Sequence, residues 1–382
     1  MSIPNPVLLL VPYRFSTGSN SGSVFSQLPT DGTGDFTYTR PGSASFVGSN
    51  GNIQYATSHS ARILNYYSGS GTCPAFLIEP SAQNICLQSQ NFLTTWSPTN
   101  AAITTGTSAE FTAPDGTTGA YSLADNATNG RHRVQQSSLS FTSGTTYSLS
   151  IFIKKNSSNR FLLLNGDSAF NAKAALNLDN LAITNINGSG AAIENYGNGW
   201  YRFSIRGTAS TTQTTTIFVQ MQDTATDVDY IGNGSSFYLW GAQLEVGSVA
   251  TSYIPTTTAA VTRNADVTTD TSYTLPIPNG TIYTEHFASF TSSYYAHSVG
   301  PIPITTGSNR VAVSYTPSKI AVYKNGSFLM SQSIGIYEVG GSIINLGHSS
   351  GSYQLNNNLL AFAVYNSELS PADAISLTSG SL

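Results

Sequence analysis

The sequence predicts an all-β protein: β-sandwich (jelly-roll) modules in tandem behind an irregular N-terminal segment. Three observations carry this expectation. Apolar residues recur with a period of two in short runs bounded by Gly, Asn, Ser or Thr, and they keep a helical period almost nowhere. Only 9% of residues are charged while 40% are hydrophobic, with 21 Tyr and 18 Phe, which suits sheets joined by polar turns. The length of 382 residues exceeds what one sandwich needs, so two or three domains are expected.

Residues 1–83 are broken by turn clusters at 16–23 and 31–34. Their apolar run at 7–11 lies between Pro4, Pro6 and Pro12, has no basic region ahead of it and is far too short to span a bilayer. It reads as a buried strand, without a signal peptide. The whole segment looks unable to form its own core, so an attachment or oligomerisation role is expected, with homotrimerisation as the form.

Residues 84–255 carry regularly spaced strands. Tyr147, Leu149, Ile151 and Ile153 alternate with Ser148, Ser150, Phe152 and Lys154. After the turn at Gly197-Asn198-Gly199, Tyr201, Phe203 and Ile205 alternate with Arg202, Ser204 and Arg206. The stretch 237–246 closes the module: strict alternation puts Tyr238, Trp240, Ala242 and Leu244 on one face, and Leu239, Gly241, Gln243 and Glu245 on the other. On that pattern Trp240 is a core residue and Glu245 faces solvent. A threonine-rich connector is expected over 256–270.

Residues 271–382 form a second module. Asn325-Gly326 predicts a tight primed hairpin turn. The run 359–364, apolar on both faces, predicts a central strand between two layers. One helix is expected from Pro371 to Leu377, with Ser370 as N-cap, proline at the first position and Asp373 in the first turn.

The net charge of −4, with no basic stripe, excludes nucleic acid as the main partner, and no segment is suited to membrane insertion. Cys73 and Cys86 are too few to staple a chain of this size and read as free thiols. None of the five histidines stands in a nucleophile setting, and the 19 acidic residues are scattered, so no catalytic set is assigned. Asp223, Asp227 and Asp229 are hard oxygen donors in one loop and are the candidate calcium ligands, although a solvated acidic loop is the simpler account of them; no other cofactor is expected. Glycan recognition needs exposed aromatic faces beside polar groups, which singles out Trp96, Tyr294 and Tyr295. Trp200 and Trp240 read as packing residues.

Two motifs, Gly197-Asn198-Gly199-Trp200-Tyr201-Arg202 and Trp240-Gly241-Ala242-Gln243-Leu244-Glu245, together resemble a recurring module of phage and prophage proteins. The second is followed by Thr251-Ser252-Tyr253-Ile254-Pro255-Thr256. The similarity reaches upstream to Thr39-Arg40, Arg62, Leu77-Ile78-Glu79-Pro80 and Asn84, covering residues 36–266. Residues 305–380 are similar to laminin-G-like, concanavalin A-like sandwiches. The resemblance implies a tail-fibre or head-fibre virion protein with a carbohydrate-binding-module-like jelly roll. Its partners would be other virion proteins and a host-surface polysaccharide, and no catalytic residues come with it. A purely structural virion component and, behind it, a polysaccharide depolymerase are the alternatives.

Overall fold

The computed structural model describes residues 3–10, 23–31, 33–64, 75–156, 160–188, 190–225, 229–270, 273, 275–276, 278–288, 292–295, 301–305, 307–333, 344–346 and 357–380. The fold is all-β, as the alternation predicts. No helix among the described residues is long and apolar enough to cross a membrane, which says nothing of membrane-crossing strands.

Ala82–Arg263, with Asn50–Gln54, makes one unit. Its main strands are β1 (Ser97–Thr99), β2 (Ala101–Thr105), β3 (Tyr121–Asp125), β4 (His132–Phe141), β5 (Thr146–Lys155), β6 (Phe161–Asn165), β7 (Lys173–Asn177), β8 (Ile183–Asn187), β9 (Ala192–Asn195), β10 (Trp200–Thr208), β11 (Gln213–Gln222) and β12 (Ser236–Val246). They form two six-stranded sheets, β2-β3-β12-β5-β10-β9 and β8-β7-β6-β11-β4-β1. Leu149, Ile151, Phe203 and Leu244 from the first meet Val134, Leu162, Val219 and Met221 from the second in one core. Each such fully buried side chain contributes about 1.5–3 kcal/mol through removal of apolar surface from water.

Met1–Ser49, Tyr55–Ser81 and Asn264–Leu382 make the other unit. Its eight-stranded sheet is centred on Asn357–Tyr365. That strand pairs with Gly280–Ala288 along one edge. Along its other edge, Leu359 faces Phe76 and Val364 faces Leu8. The N-terminal residues are therefore part of a sandwich, in place of the independent attachment segment expected over 1–83. Leu8, Leu10, Phe36, Tyr38, Phe76 and Ile78 share one core with Leu359, Phe362 and Val364. The apolar surface of these residues is buried within the chain.

The sandwiches are nested: the chain begins one unit, builds the other, then returns. The inserted unit opens at strand Ala82–Asn84 and closes at Val261–Arg263, and these two strands pair antiparallel. The threonine-rich stretch 256–270 accordingly holds two paired strands, Val261–Arg263 and Val267–Asp270, instead of being a connector throughout. Val267–Asp270 lies between Phe36–Thr39 and Ile344–Leu346. Threonine is a good strand former whose hydroxyl tolerates a half-buried face, so low apolarity did not exclude pairing.

Expectations for the C-terminal module hold locally. Asn325 (φ 47°) and Gly326 (φ 77°) make the turn between Lys319–Lys324 and Ser327–Ser333. Phe362 and Val364 enter one core while Ala361, Ala363 and Tyr365 enter another, the latter closed by Ala374 and Leu377. Those two residues belong to the helix Pro371–Ser379, where the Asp373 backbone N–H donates to Ser370 Oγ at 3.2 Å.

Candidate functional site

The motif at Trp240–Glu245 is organised by a bulge. Phe152 pairs with Trp240 and Ser150 with Gln243, so Gly241 and Ala242 together face Ile151, and Gly241 takes φ 61°. Alternation therefore reverses halfway along β12. Leu239 and Ala242 both face the main core, while Trp240 packs behind the sheet with Phe152, Trp200 and Tyr253. Trp240 is buried as expected, but not beside Ala242 and Leu244.

Glu245 keeps the face away from the main core, opposite Leu244, yet it is 1% exposed, which overturns its solvent-facing reading. Residues 251–254 fold over it. Glu245 Oε1 accepts from the Thr251 backbone N–H at 2.7 Å and from Gln243 Nε2 at 2.9 Å, and its Oε2 accepts from Thr251 Oγ1 at 2.7 Å. Gln243 Oε1 accepts from Ile254 N–H at 2.7 Å, and Asn84 Nδ2 donates to Ile254 O at 2.8 Å. Arg202 Nη1 donates to Thr251 O at 2.6 Å. Burial pushes the Glu245 carboxyl above the usual carboxylate range, opposed by the Arg202 charge.

The upstream motif residues converge in the other unit. Asp266 is fully buried between Arg40 (3.1 Å) and Arg62, and Arg62 also meets Glu79 at 2.7 Å. Tyr38 donates to Asp266 and accepts from Arg40, and the Glu79 backbone N–H donates to Asp266 Oδ2 at 2.8 Å. Two guanidinium groups thus balance two carboxylates. Both networks are closed on themselves: they hold strands together and leave no group facing a ligand.

Two clefts of the inserted unit are lined by described residues alone. The larger, about 510 Å³, lies at a second bulge, between Gln136 and Leu139 in β4, where Ser138 takes φ 63°. Hydroxyls of Ser137, Ser138 and Ser140 line it beside Ile85 and Leu87. The smaller, about 350 Å³, is lined by Asn52, Lys154, Tyr196, Asn198 and Trp200, with no carboxylate. Lys154 Nζ lies 5.3 Å from the Trp200 ring centroid and 4.8 Å from that of Tyr238, and it donates to Glu110 O at 2.6 Å. Desolvation holds its ammonium below the ordinary lysine value. Two of its three hydrogens stay available to a ligand. Gly116 (φ 82°) lets Asn52 close in, since a Cβ there would stand 2.7 Å from Asn52 Nδ2. Asn52 and Lys154 are far apart in sequence and no local pattern joins them, so sequence reasoning missed this cleft.

The residues singled out from the sequence do not assemble into one site. Trp96 is 2% exposed; its ring packs 5.1 Å from that of Phe92 and its Nε1 donates to Leu87 O. A platform needs a free face, so Trp96 is a packing residue. Tyr294 and Tyr295 pair through their backbones with Ile302 and Pro301, and their side chains lie outside the described residues. Asp223 is ion-paired to Arg160, and Asp229 lies 3.5 Å from Arg131. Asp227 lies outside the described residues. No group of three or more potential metal-ligating side chains is gathered among those described. Cys86 is free and buried, which pushes its thiol up; Cys73 lies outside the described residues. No family model matches the chain, and no curated protein matches it.

Proposed function

We propose that this chain is a phage virion protein of the tail- or head-fibre kind, whose inserted sandwich binds a host-surface glycan without turning it over. The binding half of this reading is carried by the cleft at Lys154. It combines one half-buried ring, that of Tyr196, with two side-chain amides and a partly desolvated ammonium, and no carboxylate lines it, a composition suited to a sugar and to an acidic sugar above all. Binding without hydrolysis is supported by the state of the buried acids. Asp125, Glu245, Asp266 and Glu285 each have their oxygens taken by arginines, hydroxyls or backbone N–H groups. The virion half rests on the motif resemblance.

Lys154→Met tests the cleft, because methionine keeps an apolar stem over the rings and removes the charge. Adsorption of the purified chain to host cells should weaken about tenfold with no change in melting temperature. Unchanged adsorption would remove the cleft from the proposal. Immunogold labelling of particles tests the virion assignment, and label absent from purified particles would sink it. A purely structural virion role is the second reading. The observation that favours it is that the motif side chains Arg40, Arg62, Asn84, Trp200, Arg202, Trp240, Gln243 and Glu245 are all buried in packing or hydrogen bonds.

A further inference from the structure

The residues that fold over Glu245 set a hydroxyl and a carboxamide on the two oxygens of one carboxylate. Thr251 Oγ1 donates to Glu245 Oε2 at 2.7 Å, and Gln243 Nε2 donates to Glu245 Oε1 at 2.9 Å. Gln243 Nε2 also lies 3.3 Å from Thr251 O, so the amide rests against the residue that carries the hydroxyl. The amide oxygen, Gln243 Oε1, accepts from the Ile254 backbone N–H at 2.7 Å. All three side chains are buried.

These groups are the parts of an acyl transfer. Thr251 Oγ1 is the nucleophile, Gln243 Cδ the electrophile, and Glu245 the base that takes the hydroxyl proton. The Ile254 N–H stands where negative charge develops on Gln243 Oε1 as the carbonyl is attacked. Glu245 also touches the nitrogen that must leave, so one carboxyl group serves as base and then as acid. Burial raises the Glu245 carboxyl, which strengthens it as a base, while the Arg202 charge favours its ionised form. Nucleophile, base and amide all belong to β12 and its fold-back, so the step is unimolecular. With solvent kept out, water neither competes with the hydroxyl nor hydrolyses the product.

We propose that Thr251 and Gln243 join in an intramolecular ester, a self-modification that pins residues 251–254 to β12. The Thr251 O–H bond breaks and a bond forms from Oγ1 to Gln243 Cδ. The Cδ–Nε2 bond then breaks, and the nitrogen departs as ammonia with the proton that Glu245 held, which restores the carboxylate. The balance needs no further reactant. Asn84, at the entry of the inserted unit, donates to Ile254 O at 2.8 Å, so the ester fastens the segment by which the chain leaves that unit. The step is independent of whether the Lys154 cleft holds a sugar.

Mass spectrometry of the full chain tests it. Denatured wild type should be lighter than its sequence mass by one ammonia. Cleavage after Glu245 with a glutamyl endopeptidase parts residues 243 and 251 along the chain; the two pieces should stay joined. Alkali should separate them and return the residue 243 side chain as a carboxylate. Thr251→Ser keeps the hydroxyl and should react as wild type does, whereas Thr251→Val and Glu245→Gln should show their full sequence masses. A full mass in wild type or in Thr251→Ser overturns the proposal. So do pieces that separate before alkali, or loss of ammonia that persists in Thr251→Val or Glu245→Gln. The wild-type measurements decide the question even where a variant fails to fold.

Discussion

Asp266→Asn is the most demanding test of how the outer unit is held together. The substitution preserves shape and removes one of two carboxylates that balance Arg40 and Arg62 at 0% side-chain exposure. Two guanidinium groups then face Glu79 alone in a site closed to solvent. Breaking a buried pair in this way costs about 3–5 kcal/mol, because the remaining charge has no compensation. For a unit of this size each kcal/mol moves the melting temperature by about 2–4 °C, so a fall of roughly 6–20 °C is expected. Scanning calorimetry reads it directly. Hydrogen exchange should quicken in Phe36–Thr39 and Val267–Asp270, the strands that carry Tyr38 and follow Asp266. Adding Arg40→Met should recover part of the loss, since it restores charge balance among residues in contact. A melting temperature within about 2 °C of wild type, or strictly additive losses in the double variant, would refute the argument that this quartet locks the N-terminal residues to the strand after the insertion.

Other outcomes follow from the same structure. Gly241→Ala should destabilise the inserted unit by about 1–3 kcal/mol in denaturant unfolding, because its φ of 61° is strained for alanine and its Cβ would lie 2.9 Å from Phe152; an unaltered midpoint would contradict the bulge. Burial, with a smaller contribution from the Lys324 charge, holds the His286 imidazole down to about 4 against an ordinary 6.5. Its lowered folded value means that the unfolded chain takes up the proton first. Stability from this group is therefore complete above pH 6.5 and falls as pH drops towards 4, by about 3 kcal/mol. His286→Phe should flatten that fall in a pH series of melting temperatures, and parallel curves for the two proteins would exclude the assignment. Ser370→Ala should cost about 1 kcal/mol through loss of the helix cap seen at Asp373 N–H, measurable as faster exchange in the first turn of Pro371–Ser379.

Much of this protein is legible along the chain. Period-two alternation announced the sheets, Asn325-Gly326 the hairpin, Ser370-Pro371 the helix start, and two-sided apolarity the central strand at 357–365. These are local properties: each depends on residues within one turn or one strand of each other, where backbone preference and burial pattern act directly. What tertiary structure decided is everything set by distant partners. Leu8 pairing with Val364, and Arg62 meeting Asp266 across the inserted unit, cannot be read from spacing, so a nested pair of sandwiches looks like a tail of strands ahead of two modules. The bulge at Gly241 shifted alternation by one residue and put Trp240 behind the sheet, while Glu245, on that same face, was buried only because residues 251–254 fold back over it.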